Sequence, residues 1–183
     1  MKKVLSLFLI LAVCFCFSGC GLFQFAELTA EYVAEEVGEK VNGVIDSFTE
    51  LEEDNKYLDE LGAEIVRCFD EKDVEGLKTL FCANEKNSNS ELVSEIEYAF
   101  SLYEGKSQSF YVTDKSWEGG RRDGVYIDKY FTPRIREIIT DAGKTYYIKC
   151  LLYTVCDYDI GKIGISAIGL YDECTDNKIA RIG

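Results

Sequence analysis

The spacing of apolar residues along the chain is helical up to about Gly105 and strand-like after it. Before that point apolar residues recur every three or four positions, as on one face of an α-helix. Asp73 is expected to open a second helix, and Gly105 to end a third. The three predicted apolar faces are Leu61, Ile65, Cys68 and Phe69; Val74, Leu77, Leu80 and Phe81; and Leu92, Ile96, Ala99, Phe100 and Tyr103.

Beyond Gly105 apolar and polar residues alternate, which predicts β-strands. A first strand is expected around residues 110–113, closed by a loop at residues 118–120. Residues 125–139 predict a long strand that contains Pro133, the only proline of the chain. Because proline has no N–H to donate, we expect a bulge or a sheet edge at that position.

Residues 146–156 predict the central strand, since both of its faces are largely apolar from Cys150 to Cys156. Turns are expected on both sides of it, and a further strand over residues 163–171. The order of elements therefore predicts an α+β fold in which N-terminal helices pack on a curved antiparallel β-sheet.

The first nineteen residues predict an export signal. Lys2 and Lys3 precede an apolar run from Val4 to Phe17, which is too short to span a bilayer. Small residues then lead to a cysteine in Ser18-Gly19-Cys20, which resembles the end of a bacterial lipobox. That resemblance implies cleavage between Gly19 and Cys20 and a thiol that carries diacylglycerol, with acyl chains such as palmitate. The alternative is an ordinary secretory signal with a cysteine near its cleavage site.

An acidic helical stalk is predicted between the signal and the domain. Its apolar stripe has heptad-like spacing, and residues 27–60 hold twelve acidic residues against two lysines. One interpretation is a spacer that holds the domain off the membrane, and the other is a partner-binding or self-associating helix. The predicted organisation is a signal peptide at 1–19, a stalk at 20–57 and one α+β domain at 58–183.

Charge and composition exclude several functions. The formal net charge is −13, and it becomes −15 once residues 1–19, with Lys2 and Lys3, are removed. Such a charge repels nucleic acid and anionic lipid, so we expect no nucleic-acid partner and no basic membrane patch. The chain has no histidine, the commonest general base and transition-metal ligand. We expect neither a cofactor nor a metal.

Five cysteines remain after the predicted signal and Cys20 are set aside. They are Cys68, Cys82, Cys150, Cys156 and Cys174, and no pair has metal-finger or Cys-x-x-Cys spacing. Most are expected to be small buried hydrophobic residues, with one disulfide left open.

A family resemblance extends from about Leu58 to the C-terminus. It is carried by residues 68–81, Tyr103-Glu104-Gly105, Gly119-Gly120-Arg121 with Asp123-Gly124, and Gly164-Ile165-Ser166. In these residues the chain resembles uncharacterised bacterial lipoproteins that carry a domain of unknown function with the nuclear-transport-factor-two-like, or cystatin-like, fold. The resemblance implies a fold and an address at the extracytoplasmic face of the cell membrane, and no catalytic residues.

Such folds often have a conical pocket between sheet and helices, which this chain could line with aromatic residues. The candidates are Tyr111, Trp117, Asp128, Tyr130, Tyr146 and Tyr153, with Asp128 as the one carboxylate proposed for pocket chemistry. Aromatic residues on strands also serve as ordinary packing, and that is the alternative.

Two loops have weaker signals. Arg121-Arg122 beside two glycines could present cationic groups to an anion, or could form a solvated hairpin tip. Asp157 and Asp159 near Gly161 resemble part of a calcium loop, but the remaining acidic ligands are missing, which favours a turn.

The sequence therefore predicts a lipid-anchored extracytoplasmic module that binds a protein or a small ligand without catalysis. The alternative is a pocket enzyme of the isomerase, dehydratase or hydrolase type, which rests on analogy with the fold.

Overall fold

A long amphipathic helix leads into the domain. The computed structural model describes residues 49–183, and its first helix, α1, covers residues 49–71. One face of α1 is buried, through Leu58, Leu61, Ile65, Cys68 and Phe69, each 9% exposed or less. The helix passes through the predicted boundary between residues 57 and 58 without a break. The predicted signal peptide, Cys20 and most of the predicted stalk lie outside the described residues.

Three shorter helices follow α1. They are α2 at Val74–Leu80, α3 at Ala83–Ser88 and α4 at Leu92–Leu102. Asp73 caps α2, as its side chain accepts a hydrogen bond from the Gly76 N–H at 2.8 Å. Helix α3 was not predicted, and its six residues include no buried one, so it leaves no apolar periodicity to detect.

The second half of the chain forms a curved, open, seven-stranded antiparallel sheet. This confirms the predicted α+β fold with helices first. The strands are β1 at Ser107–Thr113, β2 at Trp117–Arg122, β3 at Val125–Phe131, β4 at Arg134–Thr140, β5 at Thr145–Cys156, β6 at Gly164–Asp172 and β7 at Lys178–Ile182. The predicted central strand, β5, pairs with β3, β4 and β6, while β1, β2 and β7 lie further out.

The predicted long strand is interrupted at its proline. Strands β3 and β4 both pair with β5, and the pairs Phe131–Leu152 and Arg134–Lys149 keep the same register across the interruption. Pro133 has no N–H to donate, but its carbonyl still accepts a hydrogen bond from Cys150 N at 3.1 Å. The backbone therefore continues along β5 through the break.

One prediction about the sheet was wrong, and one strand was missed. The loop expected at residues 118–120 is part of β2, and the turn comes later, at Asp123 and Gly124, which both have positive φ angles of 51° and 81°. Glycine is needed inside β2 because the Cβ of any other residue at Gly119 would lie 2.2 Å from the Asp128 carbonyl oxygen. Strand β7 was not predicted at all.

The core lies between the helices and one face of the sheet. Aromatic rings from α1 and from the end of α4 fill part of it, since Phe69 packs edge-on against Phe100 at 4.9 Å and against Tyr103 at 5.4 Å. The sheet contributes buried side chains from β3 to β7, among them Phe131, Ile135, Ile148, Leu152, Ile165, Ile168 and Ile182, all 1% exposed or less. None of the helices described is both long enough and apolar enough to cross a membrane.

One buried ion pair joins the first helix to the sheet. The Lys129 ammonium on β3 lies 2.7 Å from an Asp54 carboxylate oxygen on α1, and the two side chains are 7% and 17% exposed. A buried charge is tolerated only when it is paired, so Asp54 is a structural partner of Lys129.

Candidate functional site

The face of the sheet turned away from the helices carries a line of cationic residues across four strands, which we call the cationic row. Arg134 lies directly opposite Lys149, Lys149 opposite Gly169, and Gly169 opposite Arg181. Directly opposite residues of an antiparallel pair share a face, with Cβ atoms about 5 Å apart. The neighbours of Lys149 in β5 are buried in the core, so Lys149 projects from the outer face.

A second line, the aromatic row, runs beside the first. Tyr147 and Tyr171 stack with ring centroids 4.4 Å apart and an interplanar angle of 6°. The Arg136 guanidinium lies 5.3 Å from the Tyr147 ring, and the Lys178 ammonium lies 5.9 Å from the Tyr171 ring. Cations therefore flank both ends of the stacked pair.

The carboxylates near the aromatic row are already engaged. The Tyr147 hydroxyl donates to Asp176, and burial together with this carboxylate raises the pKa of Tyr147 to about 12. Glu173 forms an ion pair with Arg136, and its hydrogen bond raises the pKa of the guanidinium. Because Asp176 and Glu173 are engaged in these contacts, they do not pair with the other cations of the outer face.

A cleft of about 310 Å³ opens on this face, and we call it the outer cleft. Its lining includes three cationic residues and no carboxylate. The full lining is Thr132, Lys149, Cys150, Leu151, Ala167, Ile168, Gly169, Tyr171, Lys178 and Arg181. The Tyr171 ring lies over Gly169, because a Cβ at this position would be 2.6 Å from the ring.

The cations in and beside the outer cleft have few internal partners. Within the described part of the chain, the Lys149 ammonium forms no ion pair or side-chain hydrogen bond. Arg181 uses its Nε to donate to the Gly183 carbonyl at 2.7 Å, which leaves its terminal nitrogens. Arg134 has its Nε 3.1 Å from an Asp114 oxygen, yet this buried N–H makes no hydrogen bond. The outer cleft can therefore offer positive charge to an anion.

Four of the six residues predicted to line a pocket lie near the β2–β3 half of the sheet. Tyr130 and Tyr153 are opposite each other, with rings 5.3 Å apart, and the Tyr130 hydroxyl donates to Glu118 at 2.8 Å. Trp117 packs edge-on against Tyr126 at 5.0 Å and partly against the core. Asp128 accepts a hydrogen bond from the Gly120 N–H in the adjacent strand.

The other two candidates differ in how exposed their side chains are. Tyr146 is 3% exposed, lies 5.0 Å from the Tyr103 ring and accepts a hydrogen bond from the Glu104 N–H. Tyr111 is 47% exposed and donates to Glu137. The structure brings only Tyr130 and Tyr153 into ring contact among the six, and none of the six lines the outer cleft.

The two loops with weaker signals have structural contacts. Arg121 lies at the end of β2, with its guanidinium 3.8 Å from the Tyr126 ring. Asp159 caps a single 3₁₀ turn at Ile160–Lys162, accepting from the Gly161 N–H at 3.1 Å, and it also accepts from Asn84 at 2.9 Å. This confirms the interpretation of Asp159 as part of a turn. Over residues 49–183 no group of three or more potential metal ligands comes together.

A second cleft, of about 320 Å³, lies beside α1 and the start of β1. Asp70 borders it and accepts hydrogen bonds from the Tyr103 hydroxyl at 2.9 Å and from both the N–H and the hydroxyl of Ser107. Burial and this carboxylate raise the pKa of Tyr103. Arg67 also borders this cleft, and Glu64, Glu71 and Asp73 bind it. Asp70 fastens α1 to β1 through Ser107, and Arg67 is held by three neighbouring carboxylates.

The five cysteines of the domain are all free thiols. Cys68, Cys82, Cys150 and Cys156 are buried, as predicted, and Cys174 is exposed. Burial raises the pKa of Cys68 to about 11 and that of Cys150 to about 12, so neither is an activated nucleophile.

The sequence reasoning missed the outer cleft. Lys149 could have been placed on the outer face from its position next to Cys150 in an alternating strand. Lys178 and Arg181 belong to β7, which was not predicted, and their approach to Lys149 depends on the pairing of β5, β6 and β7.

Comparison with known families gives one match. The model of a family described as Domain of unknown function (DUF5104) matches residues 64–173, which include most of the cationic and aromatic rows. No curated protein matches the chain.

Proposed function

The chain belongs to the family described as Domain of unknown function (DUF5104), and we propose that it is a non-enzymatic module that binds an anionic ligand in the outer cleft. The observation that carries the proposal is the lining of this cleft, which holds Lys149, Lys178 and Arg181 and no carboxylate. In a chain with a net charge of −13, three cations gathered without a carboxylate are a local departure from the overall charge.

The geometry of the cations suits recognition rather than stability. Lys149 lies directly opposite Arg134, and like charges at opposed positions destabilise a sheet. No carboxylate relieves Lys149 within the described residues. An anion bound at Lys149 would offset this repulsion by neutralising one of the two charges, and each charge-assisted hydrogen bond that it accepts would contribute roughly 1.5–3 kcal/mol.

The size of the outer cleft supports a small ligand or one part of a larger one. Its volume of about 310 Å³ is at the lower end of the range of roughly 300–1,000 Å³ for small-molecule sites. By contrast, the space between helices and sheet is occupied by buried side chains such as Phe69, Phe81 and Phe131, each 1% exposed or less.

We also propose that the module is a lipoprotein held at the extracytoplasmic face of the cell membrane. The support is the sequence itself, with a short apolar signal that ends in Gly19-Cys20. Two acyl chains on Cys20 would anchor the chain firmly, since each buried methylene contributes about 0.8 kcal/mol. Proteins of the nuclear-transport-factor-two-like type share the order of elements seen here, and we propose that fold for the domain.

Anion binding is tested by thermal unfolding of the purified full chain in non-ionic detergent. The probes are inorganic phosphate and citrate, titrated at constant ionic strength against sodium chloride. We expect a saturable rise in Tm, because a ligand that binds only the folded state stabilises it. Lys149→Gln should lose this rise, and Lys86→Gln, at an exposed lysine of α3, should keep it.

Two results would overturn the anion-binding proposal. One is that neither anion stabilises the wild-type chain more than sodium chloride does. The other is that Lys149→Gln responds to both anions as the wild type does.

The anchor is tested separately by Cys20→Ala. We expect this variant to move from the membrane fraction to the soluble fraction, and unchanged membrane association would contradict lipidation at Cys20.

A further inference from the structure

We infer that the ligand of the outer cleft is an extended polyanion, which binds along the whole cationic row and not at a single cation. This inference rests on the proposed anion binding and specifies its ligand class. The shared chemistry is a linear molecule with phosphate or carboxylate groups in series. Its anionic groups would meet Arg134, Lys149 and Arg181 in turn.

The cationic row is longer than a single anionic group. It crosses β4, β5, β6 and β7 in continuous register, from Arg134 through Lys149 and Gly169 to Arg181. Neighbouring strands lie about 4.8 Å apart, so Arg134 and Lys149 are separated by one strand spacing and Lys149 and Arg181 by two. A ligand with a single anionic group can contact only part of this row.

The cationic row extends beyond the outer cleft. Arg134 is in register with Lys149 but does not line the outer cleft. Its ion-pair partner is Asp114, with side chains 39% and 52% exposed, and an ion pair this exposed contributes little to stability. Its buried Nε makes no hydrogen bond. An anionic group that continues past Lys149 could therefore replace Asp114 at Arg134.

The aromatic row offers a ligand little room for ring stacking. The Tyr147 and Tyr171 rings cover one another, and the Arg136 guanidinium and the Lys178 ammonium lie 5.3 Å and 5.9 Å from the centroids of these two rings. The stacked faces are therefore closed to a ligand ring, and each ring already has a cation near it. Recognition in the outer cleft is therefore by charge, and the aromatic row forms one side of the cleft.

The test compares inorganic phosphate with tripolyphosphate by calorimetric titration of the full chain in non-ionic detergent, at one ionic strength. We expect tripolyphosphate to bind at least about tenfold more tightly than phosphate, which corresponds to about 1.4 kcal/mol. Arg134→Gln should remove most of this advantage and leave phosphate affinity unchanged, because Arg134 lies outside the cleft. Tricarballylate and acetate, tested in the same way, show whether carboxylates replace phosphates.

Two control variants keep the test specific. Arg134→Lys retains the charge and should retain the preference for tripolyphosphate, which separates charge from folding. Arg122→Gln removes an exposed arginine at the end of β2 and should change neither affinity.

The outcomes separate the two proposals. If phosphate binds through Lys149 with the same affinity as tripolyphosphate, the polyanion inference fails and anion binding stands. The inference also fails if Arg134→Gln weakens phosphate and tripolyphosphate equally. If neither anion binds, both proposals fail.

Discussion

The two faces of the sheet differ in what their side chains contact. The inner face is apolar apart from Lys129, and its side chains pack against three helices with almost no exposure. The outer face carries Arg134, Lys149, Lys178 and Arg181 around a cleft with no acidic lining residue. Strand β5 supplies both faces, because its successive side chains point to opposite sides. One strand thus contributes to folding through Ile148 and Cys150 and to the proposed binding site through Lys149.

Stability alone explains the residues of the inner face, but not those of the outer face. Burial on the inner face stabilises the domain through the hydrophobic effect, and its apolar residues all belong to the packed core. Opposed cations such as Arg134 and Lys149 do not stabilise a sheet. A function on the outer face accounts for their presence, and none is needed for the inner one.

The largest expected difference between the faces is in the free energy of unfolding. Phe69→Ala should destabilise the domain by about 3–5 kcal/mol, because it leaves a cavity among Phe100, Tyr103 and the sheet. Leu151→Ala on the outer face, at a half-buried position, should cost about 1 kcal/mol or less. Urea unfolding of both variants measures the contrast, and equal losses would mean that the outer face is also a packing surface.

Alkaline pH should lower the free energy of unfolding of the domain, because a thiol on the inner face of the sheet is buried. Burial raises the pKa of Cys150 to about 12 from its ordinary value of 9.0. The unfolded chain therefore loses this proton above pH 9 while the folded chain keeps it, so stability is complete below pH 9 and falls as the pH rises. We expect Cys150 to contribute a slope of about 1 kcal/mol per pH unit over this window.

The measurement is the free energy of unfolding as a function of pH in wild type and Cys150→Val. The variant should show a shallower decrease above pH 9, whatever its stability at neutral pH. Cys174→Ser, at the exposed cysteine, should keep the wild-type slope. An unchanged slope in Cys150→Val would show that Cys150 does not titrate as its burial implies.

Gly169 offers a smaller effect on the outer face. Gly169→Ala places a Cβ 2.6 Å from the Tyr171 ring, which must move away from Tyr147. The lost ring pair should cost about 0.5–1.5 kcal/mol. Near-ultraviolet circular dichroism should show the change in the tyrosine environment. An unaltered spectrum in Gly169→Ala would contradict the close contact.

The sequence predicted those features that depend on neighbouring residues. The cap at Asp73, the buried face of α1 and the central position of β5 all follow from local spacing. Pro133 was expected to cause a bulge or a sheet edge within one long strand, and the structure has an interruption between β3 and β4 at this position.

Features that depend on strand pairing could not be predicted. Strand β7 has only five residues, and the two glycines of β2 were interpreted as a loop, although they permit close approach to Asp128. The cationic row exists only because β4, β5, β6 and β7 are adjacent in a particular register. Its residues are separated along the chain, and no local pattern connects Arg134 with Arg181.

The most direct test of the outer face as a binding surface is the unfolding free energy of Lys149→Gln, measured with and without inorganic phosphate. Without phosphate, we expect stability equal to the wild type or higher by about 0.2–1 kcal/mol, because the like-charge pair with Arg134 is relieved. Phosphate should stabilise the wild type and leave the variant unchanged. A variant that loses more than about 1 kcal/mol and still responds to phosphate would show that Lys149 supports the fold and not the ligand.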